Sequence, residues 1–269
     1  MRRGALQKKT ASRIKDACIV LCALALAAGL YVWLGHYGNS SWRFRLESSD
    51  NIVVQGLQKV SRAQVMDILG ADIGRNIFFV PLSERKRQLE EIPWVESATV
   101  MRLLPDRLAI DIQERTPVAF VRIGPRVGLI DEHGVIMEMP RNARYSFPVI
   151  HGMSEAEPVT TRALRMKVYS RLLRELDSEG AQYSKDLSEV DLSDPEDVRI
   201  TTEDPAGAVL IHLGKEQFLE RYKIYIAHVQ QWRQQFHKLE SVDLRYERQI
   251  IVNPDPSPGV AGKPAPEAR

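Results

Sequence analysis

The chain has 269 residues, of which 44% are hydrophobic and 27% are charged, and its formal net charge at pH 7 is +2. This composition is typical of a globular protein rather than a disordered one, and the small net charge gives no reason to expect a nucleic-acid partner. The only cysteines, Cys18 and Cys22, lie in one apolar segment near the N-terminus. The rest of the chain therefore has no disulfide scaffold and no cysteine-based metal site or nucleophile.

The first predicted element is a membrane anchor behind a basic tail. Residues 1–16 contain six Lys or Arg residues and a single acid, Asp16. The eighteen uncharged residues 17–34 would span about 27 Å as a helix, close to the bilayer's hydrocarbon core of about 30 Å. Aromatic residues favour the membrane interface and cluster at the far end of this segment: Tyr31, Trp33 and Tyr37.

This pattern predicts a transmembrane helix over residues 17–37. Because the basic residues all precede it, the positive-inside rule places the N-terminal tail, residues 1–16, in the cytoplasm. The alternative is a cleaved secretory signal, for which small residues such as Ala23, Ala25 and Ala27 resemble a cleavage site. That alternative leaves a short apolar region and does not account for the apolar residues that continue to Leu34.

Residues 44–115 have the pattern of a small module with the order strand, helix, helix, strand, strand. Residues 52–54 end the first strand and Gly56 breaks it. Ser61 and Gln64 have capping-box spacing ahead of a short apolar helix. A second helix starts at Pro81 and turns its apolar side inward: Leu82, Leu89 and Ile92.

Two strands complete this module. The first covers residues 95–103, and a turn follows at residues 105–107. Apolar Leu108, Ile110 and Ile112 then alternate with less apolar residues, which predicts a half-buried strand.

The remaining chain predicts a mixed β-sheet with flanking helices. The predicted extended segments are a hairpin over residues 127–137, a short piece at 147–152, three strands at 187–192, 198–202 and 208–213, and a last strand from Ser241 to Val252. One helix, residues 161–176, carries Leu164, Val168, Leu172 and Leu176 at helical spacing. The other, residues 216–238, carries Leu219, Tyr222, Ile226, Val229 and Trp232 in its apolar stripe.

The arrangement of residues in the first module resembles the POTRA domain of the FtsQ/DivIB family of bacterial cell-division proteins. The matching pieces are Pro93-Trp94-Val95, Ala98, Val100, Arg102, Pro105, Leu108, Ile110, Glu114-Arg115-Thr116-Pro117-Val118-Ala119, and the earlier Ile52-Val53-Val54 with Gly56. The anchor occupies the family's position, and Val242 to Tyr246 resembles its closing-strand motif. Beyond Tyr246 the strand departs from any transferable pattern.

The resemblance implies an α+β protein with the following divisions: a cytoplasmic tail (1–16), a transmembrane helix (17–37), a POTRA domain of β-α-α-β-β order (44–115), an FtsQ-type β domain (116–253) and a disordered Pro-rich tail (254–269). The sequence predicts disorder for that tail, because five prolines follow residue 253.

No motif in the sequence indicates catalysis. None of the six histidines has metal-ligand spacing, and there is no G-x-S-x-G elbow and no phosphate-binding glycine loop. We therefore expect no enzyme activity, no cofactor, no metal and no small-molecule substrate. We expect a chain that presents surfaces to other proteins.

The closing strand is the predicted partner-binding edge, because a sheet edge offers unpaired N–H and C=O groups to another strand. The resemblance implies that this region receives an FtsB-type protein paired with an FtsL-type protein. By matching the motif, it assigns Arg245 and Tyr246, with Lys223 on the preceding helix as a weaker companion. Adjacency adds Arg248, Gln249 and Ile250. The alternative to partner binding is that Tyr246 packs on the sheet and that Arg245 only solvates its face of the strand.

The function predicted is that of a bitopic inner-membrane scaffold of the divisome. It would link early and late division proteins near the septal cell-wall synthesis machinery, with its body outside the cytoplasm and enriched at the septum. One alternative is a POTRA-bearing envelope protein-assembly or secretion factor, although the chain after Arg115 is short and helical for a transmembrane barrel. A second is an envelope hydrolase with an unfamiliar site.

Overall fold

The structure is a computed structural model that describes residues 19–33, 35–37, 41–140, 143–204, 207–236, 238–246 and 249–254. The chain divides into two compact units, Met1–Glu114 and Arg115–Arg269. The predicted cytoplasmic tail lies outside the described residues, as does the predicted disordered tail beyond Pro254. The domain boundaries proposed above stay predictions.

The apolar N-terminal segment forms helix α1, Ile19–Tyr37. Its length and composition are those of a membrane-spanning helix, and its apolar window is not buried against the rest of the chain. A secretory signal near an N-terminus has the same length and composition. The helix therefore agrees with the predicted anchor, but its length and composition do not distinguish an anchor from a secretory signal.

The rest of the first unit has the predicted β-α-α-β-β order. Its elements are β1 (Ile52–Gln55), α2 (Arg62–Leu69), α3 (Leu82–Glu90), β2 (Val95–Leu103) and β3 (Arg107–Glu114). The sheet order is β1-β3-β2, with β1 parallel and β2 antiparallel to β3. As predicted, Leu108, Ile110 and Ile112 of β3 are buried, and they form the core together with residues of both helices.

Local sequence signals explain how this unit is built. The Ser61 side chain accepts a hydrogen bond from Gln64 N–H and the Gln64 side chain accepts one from Ser61 N–H, which is the predicted capping box at the start of α2. Gly56 ends β1 with φ +83, and a Cβ there would lie 1.9 Å from the carbonyl oxygen of Ile112. Only glycine lets β1 pass this close to β3.

The second unit contains one nine-stranded mixed sheet. Its strands are β4 (Ala119–Ile123), β5 (Arg126–Ile130), β6 (Ile136–Met137), β7 (Val149–His151), β8 (Leu187–Asp194), β9 (Asp197–Asp204), β10 (Gly207–Gly214), β11 (Ser241–Tyr246) and β12 (Gln249–Val252). The order is β12-β11-β10-β9-β8-β7-β4-β5-β6. The β4–β7, β7–β8 and β10–β11 pairs are parallel, and the others are antiparallel.

Two helices, α4 (Val159–Leu176) and α5 (Phe218–Gln235), pack on each other and on this sheet. The predicted stripe of α4 is wrong at Leu164, which is exposed. Residues four apart advance about 40° beyond a full turn, so Leu164 and Leu176 lie about 120° apart around the helix. The buried face instead carries Met166, Tyr169 and Leu172.

The predicted α5 helix, residues 216–238, is too long at both ends, because the observed helix covers Phe218–Gln235. Gln217 has a left-handed backbone (φ 59) before the first turn, and Phe236 is extended after the last. Its predicted stripe is wrong at Ile226, which is 42% exposed. The buried face is centred on Tyr222 and Tyr225, so Ile226 falls at its margin.

Candidate functional site

The closing segment is two strands rather than the single strand predicted from Ser241 to Val252. β11 and β12 form an antiparallel pair in which Tyr246 lies opposite Gln249 and Val242 lies opposite Val252. The chain must reverse between Tyr246 and Gln249. The single strand was wrong at the three consecutive polar residues 247–249, which interrupt the alternation of residues 242–246 and are a sequence signal for a break in the strand.

This reversal moves the edge of the sheet. β11 is sandwiched between β10 and β12, so β12 is the terminal strand. In the part of the chain that the structure describes, no strand pairs with the outer side of β12. The outer side of a terminal strand carries N–H and C=O groups that can pair with an added strand.

Asn253 fastens β12 to the start of β11. Its side-chain Oδ1 accepts hydrogen bonds from Glu240 N–H at 2.9 Å and Ser241 N–H at 3.3 Å. Its Nδ2 donates to the carbonyl of Lys238 at 2.8 Å, and its own N–H donates to the carbonyl of Ser241. Asn253 adopts φ 55, a conformation that asparagine tolerates better than most residues.

Arg245 of β11 is held by two buried carboxylates. Its Nε and Nη2 lie 3.0 Å from Oδ1 and 2.6 Å from Oδ2 of Asp243. Its Nη1 lies 3.4 Å from Oδ2 of Asp197, which follows the β8–β9 turn. The guanidinium is thus committed to the fold, and only about a third of the side chain is exposed.

His212 completes this cluster from β10. Its Nδ1 lies 2.6 Å from Asp197 Oδ2, and the other oxygen of Asp197 accepts a hydrogen bond from Gly214 N–H at 3.2 Å. Gly214 has φ +71, and a Cβ at this position would collide with Arg221 Nη1. Arg221 itself donates to the carbonyl of Leu213.

The electrostatics favour the charged forms of Asp197, Asp243 and Arg245. Burial alone raises the pKa of Asp197, but its hydrogen bond with His212 and the charges of His212 and Arg245 outweigh that effect, so the pKa lies below its ordinary value. Burial likewise raises the pKa of Asp243, yet the hydrogen bonds from Arg245 bring it below the ordinary value. The bond to Asp243 in turn raises the pKa of Arg245.

Tyr246 and Ile250 are the exposed apolar residues beside the open edge. Tyr246 is 53% exposed and Ile250 is 41% exposed. The guanidinium carbon of Arg245 lies 5.7 Å from the centre of the Tyr246 ring, within cation–π range. The structure therefore brings Arg245, Tyr246 and Ile250 to the same pair of strands. Arg245 is held in ion pairs within the sheet, whereas the side chains of Tyr246 and Ile250 are exposed to solvent.

The other predicted site residues lie elsewhere. Lys223 of α5 pairs with Glu179 at 2.7 Å and reaches Glu220 at 3.9 Å, and these bonds raise its pKa. Its ion pairs are thus separate from those of Arg245. Arg248 lies outside the described residues.

Sequence reasoning missed the charged cluster beneath β11. Asp243 alternates with the apolar residues Val242 and Leu244, a pattern that predicts a solvent-facing side chain, yet its carboxylate is buried. Asp197 and His212 lie on the antiparallel strands β9 and β10, and the parallel pairing of β10 with β11 places His212 opposite Asp243, so the cluster forms only when these three strands pair. Among the described residues, no group of three or more His, Cys, Asp or Glu is arranged to hold a metal ion.

Comparison with known proteins gives consistent relatives for both units. The family model "POTRA domain, FtsQ-type" matches residues 48–115, and "Cell division protein FtsQ/DivIB, C-terminal" matches residues 119–245. The cell division protein FtsQ of Koribacter versatilis is 56% identical over 269 residues, covering 99% of this chain and 78% of that protein. FtsQ of Syntrophotalea carbinolica is 26% identical over 242 residues, covering 88% and 83%.

A solved structure is also similar, that of the major extracytoplasmic domain of the cell division protein DivIB from Geobacillus stearothermophilus. It is 16% identical, with a TM-score of 0.29, and covers 46% of this chain and 98% of that chain. A score this low supports no conclusion on the fold. The match to the C-terminal family model stops at residue 245, so Tyr246 and β12 lie beyond it.

Proposed function

This chain belongs to the FtsQ family of cell-division proteins, and we propose that it is a single-pass scaffold of the divisome that binds FtsB- and FtsL-type partners through its extracytoplasmic units. The family is part of the division machinery and has a scaffold role. In the proposal, α1 anchors the chain in the cell inner membrane with the basic tail in the cytoplasm. The two units stand outside, near the septal cell-wall synthesis machinery.

The observation that carries this proposal is the open outer side of β12, flanked by exposed Tyr246 and Ile250. A partner strand added there extends the sheet, and its backbone hydrogen bonds supply adhesion. The two exposed side chains supply selection, since an aromatic residue at an interface centre often carries much of the binding energy. Lys223 stays a weaker companion in this proposal, and Arg248 a candidate by adjacency.

Arg245 has a different role in this proposal from the one its motif position first implied. Its guanidinium neutralises Asp243 and Asp197, so it fixes the course of β11 and supports Tyr246. It acts on a partner through the strand it stabilises. The scaffold role is mechanical, and it needs no chemistry from the chain.

Binding of the FtsB/FtsL-type pair from the same genome to the full-length chain in nanodiscs tests the proposal. Tyr246→Glu places a charge at the open edge, so we expect the affinity to fall at least tenfold while the thermal unfolding midpoint stays unchanged. Val127→Glu is the matched control, because Val127 is similarly exposed on β5 near the opposite end of the same sheet. Unchanged affinity in a folded Tyr246→Glu protein would remove the assignment of this edge.

A further inference from the structure

One end of the first unit carries exposed large apolar side chains that its core does not use. We call this surface the apolar end, and its members are Trp42, Ile73, Phe78, Phe79, Met101, Leu103 and Leu104. Trp42 is 68%, Phe79 58% and Leu104 62% exposed. Scattered exposed apolar residues are ordinary, but a group of this size on one end of a small unit marks an interaction surface.

Hydrogen bonds show that the three segments contributing these residues lie together. Arg102 of β2 donates from Nε to the carbonyl of Ile77 and from Nη2 to that of Val80, each at 2.7 Å. Leu46 N–H donates to the carbonyl of Arg75 at 3.0 Å. Residues 42–46, 73–80 and 101–104 are therefore neighbours.

The topology puts the apolar end where the chain arrives from α1. β1 is parallel to β3 with Ile52 opposite Leu108, so the start of both strands lies at one end of the sheet. Asn51 donates to Asp106, in the β2–β3 turn, at 2.9 Å. The chain leaves the unit at Glu114, the other end of β3, roughly 20 Å away for a strand of this length.

Aromatic contacts continue from the helix to this end. The Tyr37 ring, in the last turn of α1, lies 6.3 Å from that of Phe44, and Phe44 lies 5.2 Å from Phe78. Trp42 follows Tyr37 by five residues, so it can lie no more than about 18 Å from it. A surface this close to the end of a membrane span is within reach of the headgroup region.

The charges of the apolar end fit an anionic lipid surface. Its three segments contain four arginines and no acid, namely Arg43, Arg45, Arg75 and Arg102, and of these Arg75 pairs with the neighbouring Asp72 at 3.0 Å. Aromatic and aliphatic side chains between cationic ones are the composition of elements that lie in the headgroup region. Cationic residues near an anionic bilayer are attracted to its surface.

We propose that the apolar end rests in the headgroup region of the bilayer that α1 crosses and binds anionic phospholipid there. This inference rests on α1 being a retained anchor, as in the proposed function. The contact fixes the height and tilt of the first unit at the membrane, so that β3 leads the chain away from the surface. A division partner is the competing occupant of the same residues.

Nitroxide labels on the full-length chain test this contact by their access to oxygen and to a water-soluble nickel chelate. In a background of Cys18→Ser and Cys22→Ser, single labels go at Phe79→Cys and Leu104→Cys in phosphatidylglycerol-containing vesicles. Lys59→Cys is the control. Lys59 is exposed at the far end of the unit, where its backbone N–H donates to Glu114. Leu24→Cys reports on α1 itself.

We expect the labels at positions 79 and 104 to be protected from the nickel chelate at least threefold more than the label at position 59. Chelate access at 79 and 104 equal to that at 59, with 24 immersed, would overturn the membrane contact and favour a protein partner there. A water-exposed label at 24 would instead remove the anchor, and with it the proposed topology. If the label at position 79 is as deeply immersed in pure phosphatidylcholine vesicles as in phosphatidylglycerol-containing vesicles, the preference for anionic lipid is overturned.

Discussion

Arg245 donates two hydrogen bonds to Asp243, the residue two positions before it in the same strand, with Nη2 2.6 Å from Oδ2. The Arg245 backbone N–H also donates to Asp243 Oδ1, at 3.0 Å. A third contact runs to Asp197 on β9. These bonds occupy the guanidinium, so Tyr246 and Ile250 are left as the exposed side chains beside β12.

Arg245 should therefore matter to stability more than Tyr246 does. Arg245→Ala leaves the carboxylates of Asp243 and Asp197 buried without their guanidinium partner, which we expect to lower the free energy of unfolding by about 1–3 kcal/mol. Tyr246→Ala should change it by less than about 0.5 kcal/mol, because Tyr246 is mostly exposed. Denaturant unfolding followed by fluorescence measures both, and equal effects would contradict the separate roles.

The lowered pKa values of Asp197 and Asp243 predict that the free energy of unfolding decreases at acidic pH. Their folded-state pKa values lie below the ordinary value, so the folded form releases protons more readily than the unfolded one. The stabilisation is present above the unfolded pKa of about 3.9 and is lost as pH falls toward the folded pKa. Stability should therefore drop on acidification below about pH 5.

Asp243→Asn tests this assignment. It removes one of the carboxylates, so the melting temperature should depend less steeply on pH between about 3 and 5, although the variant is less stable at neutral pH. Asp186→Asn removes an exposed carboxylate from the same unit and is the control, which should leave the dependence unchanged. An unaltered slope in Asp243→Asn would mean that this cluster does not govern the acid sensitivity.

The Asn253 side chain should control how firmly β12 is attached. Asn253→Gly tolerates the same backbone conformation but loses the amide, so amide hydrogen exchange across residues 249–252 should accelerate by about tenfold or more. Asn253→Asp keeps the oxygen that accepts from Glu240 and Ser241 and loses only the bond to Lys238. Its effect should be smaller, and the reverse order would contradict the role given to Oδ1.

Glu114 gives a physical reason for one part of the family motif. Its carboxylate accepts hydrogen bonds from Gln58, Lys59 and Val60 N–H groups at 2.7 to 2.8 Å. Glu114→Ala should leave the part-buried Val60 N–H without its partner, while water can reach the exposed Gln58 and Lys59 N–H groups, so the stability of the first unit should fall by about 1–2 kcal/mol. Glu114→Gln keeps an acceptor and should cost less.

The exposed Glu96→Ala is the matched control for that series, with an expected change below about 0.5 kcal/mol. Amide hydrogen exchange across residues 52–114 measures the unfolding of the first unit in all three variants. A loss in Glu96→Ala as large as in Glu114→Ala would contradict the part assigned to the Glu114 hydrogen bonds.

The first unit was predictable from sequence because its signals are local. Capping residues, a breaking glycine and the alternation of β3 each act within a few residues, and all of them appear in the structure. The family resemblance is confirmed by the matching models and by the relative that is 56% identical. The α+β architecture follows from the same signals.

The site was predicted less well because its geometry depends on pairing across the chain. Tyr246 and Ile250 could be assigned to the closing segment, but its reversal into two strands was missed at the polar residues 247–249, which interrupt the alternation. The support for Arg245 comes from Asp197, some fifty residues earlier, through strands that meet only in the folded sheet. Helix stripes failed at Leu164 and Ile226 because spacing alone does not identify the face that meets the sheet.

The localisation of a functional N-terminal fluorescent fusion of the full-length chain, imaged in dividing cells of the organism that encodes it, tests the central claim most directly. A divisome scaffold should concentrate at the constriction site. We expect that enrichment to weaken in the Tyr246→Glu fusion and to persist in the Val127→Glu fusion. An even signal around the whole envelope from a functional wild-type fusion would contradict the scaffold role proposed for this chain.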